Sequence, residues 1–316
     1  MRLGSRASGA AKTLTKALAG AALLLLAPVQ AHAQAAAPPA ARTAAAAPRP
    51  AIWLLEDEDT KIYLFGTTHI FERGFRWRSP RLDAVVREAD ELVMETADEE
   101  EIDESTLAAG MFMTKPISIL SRVSEARRAR LAELIEESGL PVEAWDMLHS
   151  WAAAMMLMAM QMMPEKGADV RPLSGAEIEL TRDFRLADKP ISAVESSEQQ
   201  MRIFQNLSLP AQRAFLESTI DSLSVQSSAS GGADADGNVA WASGDVDAIA
   251  RDMEELGPAL YEALLTRRNR AWTEWLTKRL ERPGTILFAV GAGHLAGRDS
   301  VQSMLAARGL QARRID

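Results

Sequence analysis

Two short segments near opposite ends of the chain follow one pattern, and this pattern most constrains the fold. Gly66-Thr67-Thr68-His69 follows the apolar run Ile62–Phe65, and Gly291-Ala292-Gly293-His294 follows the apolar run Ile286–Val290. Short apolar runs bounded by glycine predict buried strands. Each histidine therefore lies just past a predicted strand, and one sheet would bring the two histidines together.

The glycine three residues before each histidine predicts a sharp backbone turn, through angles that a Cβ atom would hinder. Such a turn would swing the histidine back over the end of its strand. The chain has 4 histidines, and loss of a leader would leave His69, His149 and His294. We interpret His149, at the start of an apolar helix, as structural.

The N-terminal residues 1–33 have the features of a secretory signal peptide. A basic start precedes the apolar run Ala17–Val29 and the small-x-small sequence Ala31-His32-Ala33. An uncleaved membrane anchor is the alternative, although the apolar run is short for a membrane span. Residues 34–50, rich in Ala and Pro, predict a flexible linker. We expect an exported protein, periplasmic or secreted, with one folded domain at 51–316 and no stable membrane insertion after cleavage.

Charge and cysteine content limit the classes of partner and cofactor. The formal net charge is −9, and an acidic chain is a poor binder of nucleic acid, which needs basic patches. The chain contains no cysteine. Disulfides and thiolate ligands are therefore excluded, and any bound metal would need imidazole and carboxylate ligands.

The order of predicted elements indicates the fold class. Predicted strands cover residues 52–55, 62–65, 92–94, 191–194, 285–290 and 312–315, and a helix begins at Ser79-Pro80. Residues 98–188 read mostly as helices. We predict an α/β fold with a mixed central sheet built from the N- and C-terminal segments, and a large helical insertion. The polar segment 226–238 reads as a surface loop rather than a calcium loop.

Four predicted strands lead into a side chain that could bind a metal or catalyse: His69, Glu95, Glu195 and His294. In open α/β sheets, ligands bind beyond the carboxyl ends of the strands. Two imidazoles with one or two carboxylates suit a divalent transition metal, and a remaining carboxylate could act as general base on metal-bound water. For the two glutamates, simple exposure to water at a strand end is the alternative.

Six short segments, two of which contain the G-x-x-H motifs, are spread over most of the chain. In order they are YLFGTTH, ELVMET, KPISAVESSEQQ, AWASGD, RRNRAW and FAVGAGHLAG. Together they resemble the TraB/PrgY/GumN family over about residues 52–315. The resemblance is to the GumN-like bacterial branch, which is related to the Tiki metalloproteases. It implies an EreA/ChaN/Tiki-like fold and a metal-dependent protease. The segment LSGAEIELTRD departs from the Gly-Ile-Asp that relatives tend to carry.

The resemblance also implies roles for single residues. We expect His69, His294 and Glu195 to bind a divalent metal ion (Mn, Co or Zn), and Glu95 to activate water. Arg268 and Asn269, adjacent on a predicted helix, would hold the substrate or stabilise an oxyanion.

The expected function is an exported metal-dependent hydrolase acting on peptide bonds of a peptide or envelope protein. The alternative is a non-catalytic periplasmic binding protein that sequesters a peptide or envelope ligand. Its groove would consist of the Met-rich helix 147–163 and a face carrying Trp272 and Trp275. A scaffold with a degenerate site is a third, blander interpretation.

Overall fold

The computed structural model describes residues 47–72, 74–97, 110–161, 173–228 and 233–316. The predicted signal peptide, most of the linker and the acidic run at 99–101 lie outside these residues. No helix in the described ranges is long and apolar enough to cross a membrane. The described residues fall into two compact units. The helical unit contains 110–161 and 197–228, and the sheet unit contains the rest.

The strands of the described residues all belong to the sheet unit. They are β1 (Ile52–Glu56), β2 (Thr60–Thr67), β3 (Phe71–Glu72), β4 (Glu91–Met94), β5 (Leu173–Ser174), β6 (Ile191–Ala193), β7 (Gly284–Gly291) and β8 (Arg313–Arg314). The main sheet has the order β6-β4-β7-β2-β1-β8, and β3 pairs with β5 in a small second sheet.

The main sheet joins the two ends of the chain. Strands β6, β4, β7 and β2 run parallel to one another, whereas β1 pairs antiparallel with β2 and β8 pairs antiparallel with β1. The pairing of β2 with β7 runs from Thr60 opposite Gly284 to Thr67 opposite Gly291. This confirms the predicted α/β fold with a mixed sheet, and it places the two G-x-x-H segments side by side.

The helices of the described residues are α1 (Pro80–Glu88), α2 (Glu125–Glu137), α3 (Val142–Asp146), α4 (Ser150–Gln161), α5 (Ala176–Leu186), α6 (Ser197–Gln205), α7 (Leu209–Ser228), α8 (Ala233–Ser243), α9 (Val246–Glu254), α10 (Gly257–Tyr261), α11 (Arg267–Arg279) and α12 (Val301–Ala306). A π-helical turn, Glu262–Thr266, precedes α11, and 3₁₀ turns cover Ile119–Arg122 and Ala292–Leu295. Helix α1 begins as predicted, because the Ser79 hydroxyl accepts the Leu82 N–H at 3.1 Å.

One face of the main sheet packs against α11 and α12. Alternate residues of β2 and β7, among them Leu64 and Phe288, form a buried cluster with Trp272 and Leu276 of α11. The Trp272 and Phe288 rings meet edge-on, with centroids 6.0 Å apart. Alternation along the strands thus sends every second apolar side chain into one core. This packing fixes α11 above the carboxyl ends of the parallel strands.

The Met-rich helix α4 belongs to the core of the helical unit. Met155 and Met156 are buried. Trp151 stacks on Phe204 of α6 with ring centroids 6.1 Å apart. These contacts confirm a core helix for the described part of the segment, and Met162 and Met163 lie outside it.

The predicted surface loop at 226–238 is wrong for the described part of that segment. Helix α7 continues to Ser228, and α8 begins at Ala233. Tertiary contacts explain why α8 forms where the composition predicts a loop. Asn238 and Trp241, both buried, donate hydrogen bonds to backbone carbonyls of the segment around His69. Local composition does not reveal such contacts.

Candidate functional site

The carboxyl ends of the four parallel strands bring the predicted site residues together. His69 follows β2, Glu95 follows β4, Glu195 follows β6 and His294 follows β7. Because these strands run parallel, their carboxyl ends share one edge of the sheet. Side chains that are far apart in sequence therefore lie in one neighbourhood.

Arg268 of α11 lies at the centre of this neighbourhood. Its Nε donates to both carboxylate oxygens of Glu195 at 3.0 Å. Its Nη2 donates to Glu95 Oε2 at 2.6 Å and to Glu195 Oε2 at 2.8 Å. Its Nη1 lies 3.0 Å from His294 Nε2. We call Arg268, Glu95, Glu195, His294 and His69 the Arg268 cluster.

Trp272, one turn after Arg268 on the same helix, also contacts Glu195. Its indole N–H donates to Glu195 Oε1 at 2.9 Å. The Arg268 guanidinium carbon lies 4.7 Å from the centre of the Trp272 ring, within the range of a cation–π contact. Trp272 therefore positions both members of this ion pair.

Asn269 orients His294 rather than lining an open surface. Its Nδ2 donates to the backbone carbonyls of His294 at 3.3 Å and of Asp299 at 2.7 Å. Its Oδ1 lies 2.6 Å from His294 Nδ1 and is left to accept a hydrogen bond. We therefore assign the proton of His294 to Nδ1, which leaves the lone pair on Nε2 facing Arg268.

The charge of Arg268 holds Glu95 ionised and His294 neutral. Burial raises the pKa of Glu95, but Arg268, both histidines and the Gly291 N–H outweigh it and bring the pKa to about 2. The Gly291 N–H donates to Glu95 Oε1 at 2.6 Å. For His294, burial and the positive charge of Arg268 lower the pKa to about 3.

His69 has a different protonation state from His294. Its Nδ1 lies 2.8 Å from Glu177 Oε1. Burial lowers the pKa of His69, yet the charge of Glu177, assisted by Glu95, raises it to about 9. The Nε2 atom is shielded from water and has no hydrogen-bond partner among the described residues. His69 is thus a cation at neutral pH with one unused donor.

Sequence reasoning missed Glu177. It lies in the first turn of α5, inside the segment LSGAEIELTRD that departs from the family pattern. A Cβ atom on Gly175 would lie 2.2 Å from the carbonyl oxygen of His69, so only glycine allows the start of α5 to approach so closely. The Ala176 N–H also donates to the Thr68 carbonyl at 3.0 Å. The sequence signal for Glu177 was the acidic side chain at the third position of Gly175-Ala176-Glu177, where relatives tend to carry Gly-Ile-Asp.

The predicted turn is wrong for the glycines of the two G-x-x-H segments, and for Gly66 the reason is close packing. Neither Gly66 nor Gly291 has a positive φ angle, and the φ of Gly291 is −49°. A Cβ atom on Gly66 would lie 2.9 Å from the Cα atom of Ala292 in the other segment. Gly66 therefore allows the first segment to touch the second.

The expected metal does not fit the Arg268 cluster as it is arranged. Both histidines have the orienting contact at Nδ1 that is typical of metal ligands. However, the Nε2 atom of His294 faces Arg268, and the carboxylates of Glu95 and Glu195 accept hydrogen bonds from the same guanidinium. Over the described ranges, no group of three or more His, Cys, Asp or Glu side chains could hold a metal ion.

The model of the TraB/PrgY/gumN family matches residues 51–314, which include every residue of the Arg268 cluster and Glu177. No curated protein and no solved structure matches the chain.

Proposed function

The chain belongs to the TraB/PrgY/gumN family, and we propose that it is an exported hydrolase that cleaves peptide bonds at the Arg268 cluster. The observation that carries this proposal is His69, whose cationic imidazole has a buried Nε2–H with no acceptor in the described structure. A buried donor without a partner costs on the order of 1–3 kcal/mol, and such a cost is commonly retained at functional sites.

In the proposed reaction, His69 donates its Nε2–H to the oxygen of the scissile carbonyl. This contact would become stronger as negative charge develops on that oxygen, which is the requirement for transition-state stabilisation. The Glu177 carboxylate, 2.8 Å from Nδ1, holds the imidazole in place and keeps it protonated.

His294 is the proposed general base. It is neutral, its Nδ1–H is held by Asn269, and its lone pair lies on Nε2. A base with one nitrogen held by an orienting group resembles the histidine of hydrolytic triads in its arrangement. Glu95 Oε1, 3.7 Å from Nε2, would stabilise the imidazolium that forms.

Arg268 controls this base in our proposal. Its charge lowers the pKa values of Glu95 and His294, so both are weak bases in the structure described here. A substrate carbonyl or carboxylate that drew Nη1 away from His294 would raise the basicity of His294 and let water reach Nε2. Water would then attack the carbonyl carbon, the C–N bond would break, and the departing amine would take the proton from His294.

Export is part of the same proposal. Its support is the basic start, the apolar run and the Ala31-His32-Ala33 sequence. Expression with the natural N-terminus, followed by N-terminal sequencing of the periplasmic fraction, should give a chain that begins at Gln34. Retention of Met1 in the cytoplasmic fraction would contradict export.

The residues assigned to the groove of the non-catalytic alternative give that alternative little support. Met155 and Met156 are buried in the helical unit, and Trp272 is buried in the sheet unit. Buried apolar side chains do not form the exposed apolar patch that a binding groove of this kind needs.

Digestion of a mixed peptide library, read by mass spectrometry, tests the proposal. We expect wild type to cleave peptides and His294→Ala to lose about 10²- to 10⁴-fold in rate, the usual contribution of a general base. His149→Ala is the matched control, because His149 lies in the helical unit and should be replaceable without loss of activity. Absence of cleavage by wild type, or equal cleavage by His294→Ala, would sink the proposal.

A further inference from the structure

We infer that the Arg268 guanidinium occupies the position of a metal ion and supplies the positive charge that the two carboxylates face, so that the resting site binds no divalent metal. The inference concerns the ground state of the site. It does not depend on whether the chain cleaves peptides, and its test uses no substrate.

The contacts of Arg268 are those that a metal ion would otherwise make. One guanidinium lies within 3.0 Å of an oxygen of Glu95, an oxygen of Glu195 and the Nε2 lone pair of His294. These are two of the predicted metal ligands and the predicted water-activating carboxylate. Their donor atoms point at nitrogen atoms of Arg268, so the ligand set that the sequence suggests is already satisfied by a positive charge.

Charge balance supports the same conclusion. Glu95 and Glu195 contribute two negative charges and Arg268 one positive charge, whereas His69 and Glu177 form a separate ion pair. These three charges sum to −1, so a divalent ion would overcompensate the carboxylates and lie beside a like charge, the Arg268 guanidinium, which is only 4 % exposed. Uncompensated buried charge is costly. Without Arg268, the same two carboxylates would balance a divalent ion.

Burial of the guanidinium makes it hard to displace. Arginine does not lose its proton in proteins, and bidentate contacts to carboxylates are the strong ones. The Nη1 group also donates to the Leu264 carbonyl at 3.2 Å, in the π-helical turn before α11. A metal ion would have to break these contacts without offering the arginine new ones.

Metal binding by wild type and by Arg268→Gln tests the inference. After dialysis against a chelator, each chain is titrated with Mn²⁺ or Co²⁺ in calorimetry, and its melting temperature is measured with and without metal. We expect wild type to bind fewer than about 0.1 ions per chain and to melt within about 1 °C of its metal-free value. Arg268→Gln should bind about one ion per chain and gain stability, because its carboxylates and imidazoles have lost their cation.

Two further variants make the result specific. Arg267→Gln changes the neighbouring arginine, whose side chain is 70 % exposed, and should behave as wild type. Arg268→Gln/His294→Ala should lose the gained binding. One ion bound per wild-type chain, lost in His294→Ala, would overturn the inference. A folded Arg268→Gln chain that binds no metal would also overturn it. If Arg268→Gln does not fold, Arg268→Lys, which keeps the positive charge, takes its place. Neither Arg268→Lys nor wild type should then bind metal, and one ion bound by either chain would overturn the inference.

Discussion

At the scale of single residues, the site rests on two neighbours of α11 with different tasks. Arg268 holds the two carboxylates and faces His294, whereas Asn269 holds His294 from its other side. Hydrogen bonds that fix one imidazole nitrogen determine what the other nitrogen can do. Glu177 is the ion-pair partner of His69, so each histidine has its own neighbour at Nδ1 and a different protonation state.

Removal of the Glu177 charge should change the protonation of His69. In Glu177→Gln, burial and the charge of Arg268 remain and both lower the pKa, so we expect it to fall from about 9 to about 6.5 or lower. Titration of the His69 ring signals by NMR would measure this. Glu179→Gln, two residues further along α5, is the control and should leave the pKa unchanged. A His69 pKa that stays near 9 in Glu177→Gln would contradict the assigned pairing.

At the scale of elements, the site exists because two segments from opposite ends of the chain touch. Parallel pairing of β2 with β7 aligns their carboxyl ends, and Gly66 then packs against Ala292. Helix α8 fixes the first segment, since the Trp241 indole donates to the Gly66 carbonyl at 2.7 Å. The geometry of the histidines thus depends on α8 as well as on the strands that lead into them.

Gly66→Ala should be strongly destabilising. Its new Cβ atom would lie 2.9 Å from the Cα atom of Ala292, and backbone atoms in a paired strand have little room to move. We expect a loss of about 2–4 kcal/mol in the free energy of unfolding, measured by urea denaturation. Gly110→Ala is the comparison, because the atom in its way is the flexible end of Gln205. Equal effects of the two substitutions would argue against close packing as the role of Gly66.

The sequence predicted those elements whose signal is local. Apolar runs gave the strands that carry His69, Glu95, Glu195 and His294, because buried parallel strands need continuous apolar segments. Contacts between distant residues could not be predicted. The pairing of Glu177 with His69, the helix α8 and the central position of Arg268 all arise from tertiary packing. The residue types of the site were therefore visible in the sequence, and their hydrogen-bond partners were not.

At the scale of the whole molecule, the buried titratable groups of the site link its charge to folding. The folded chain binds the His69 proton more tightly than the unfolded chain, because the pKa is raised from 6.5 to about 9. It binds the His294 proton more weakly, because that pKa is lowered from 6.5 to about 3. Because the pKa values of the two histidines shift in opposite directions, the free energy of unfolding is greatest at a pH between the two shifted values, about 3 and about 9.

Stability should therefore be greatest near pH 6.5. The contribution of His69 is fully present below pH 6.5 and is lost as the pH rises to about 9, by on the order of 3 kcal/mol. The unfolded chain gains a proton at His294 as the pH falls from 6.5 to about 3, which also lowers stability. Below pH 4.5, protonation of the unfolded-state Glu95 adds a further loss.

Urea denaturation at about pH 5, 6.5 and 9 would measure this dependence. His69→Gln should flatten the alkaline side, since the proton bound by His69 is removed there. A wild-type stability that rises steadily from pH 6.5 to 9 would contradict the assigned protonation states.

The central claim is that the two G-x-x-H segments form one hydrolytic site, and a double-mutant cycle on peptide cleavage tests it most directly. Rates are measured for wild type, His69→Ala, His294→Ala and the double variant, each checked for folding. Residues that act as a unit have non-additive effects. We predict that each single change lowers the rate about 100-fold or more, and that the double variant lies within about 10-fold of the slower single variant. Losses that multiply in the double variant, or a single variant with the wild-type rate, would contradict a shared site.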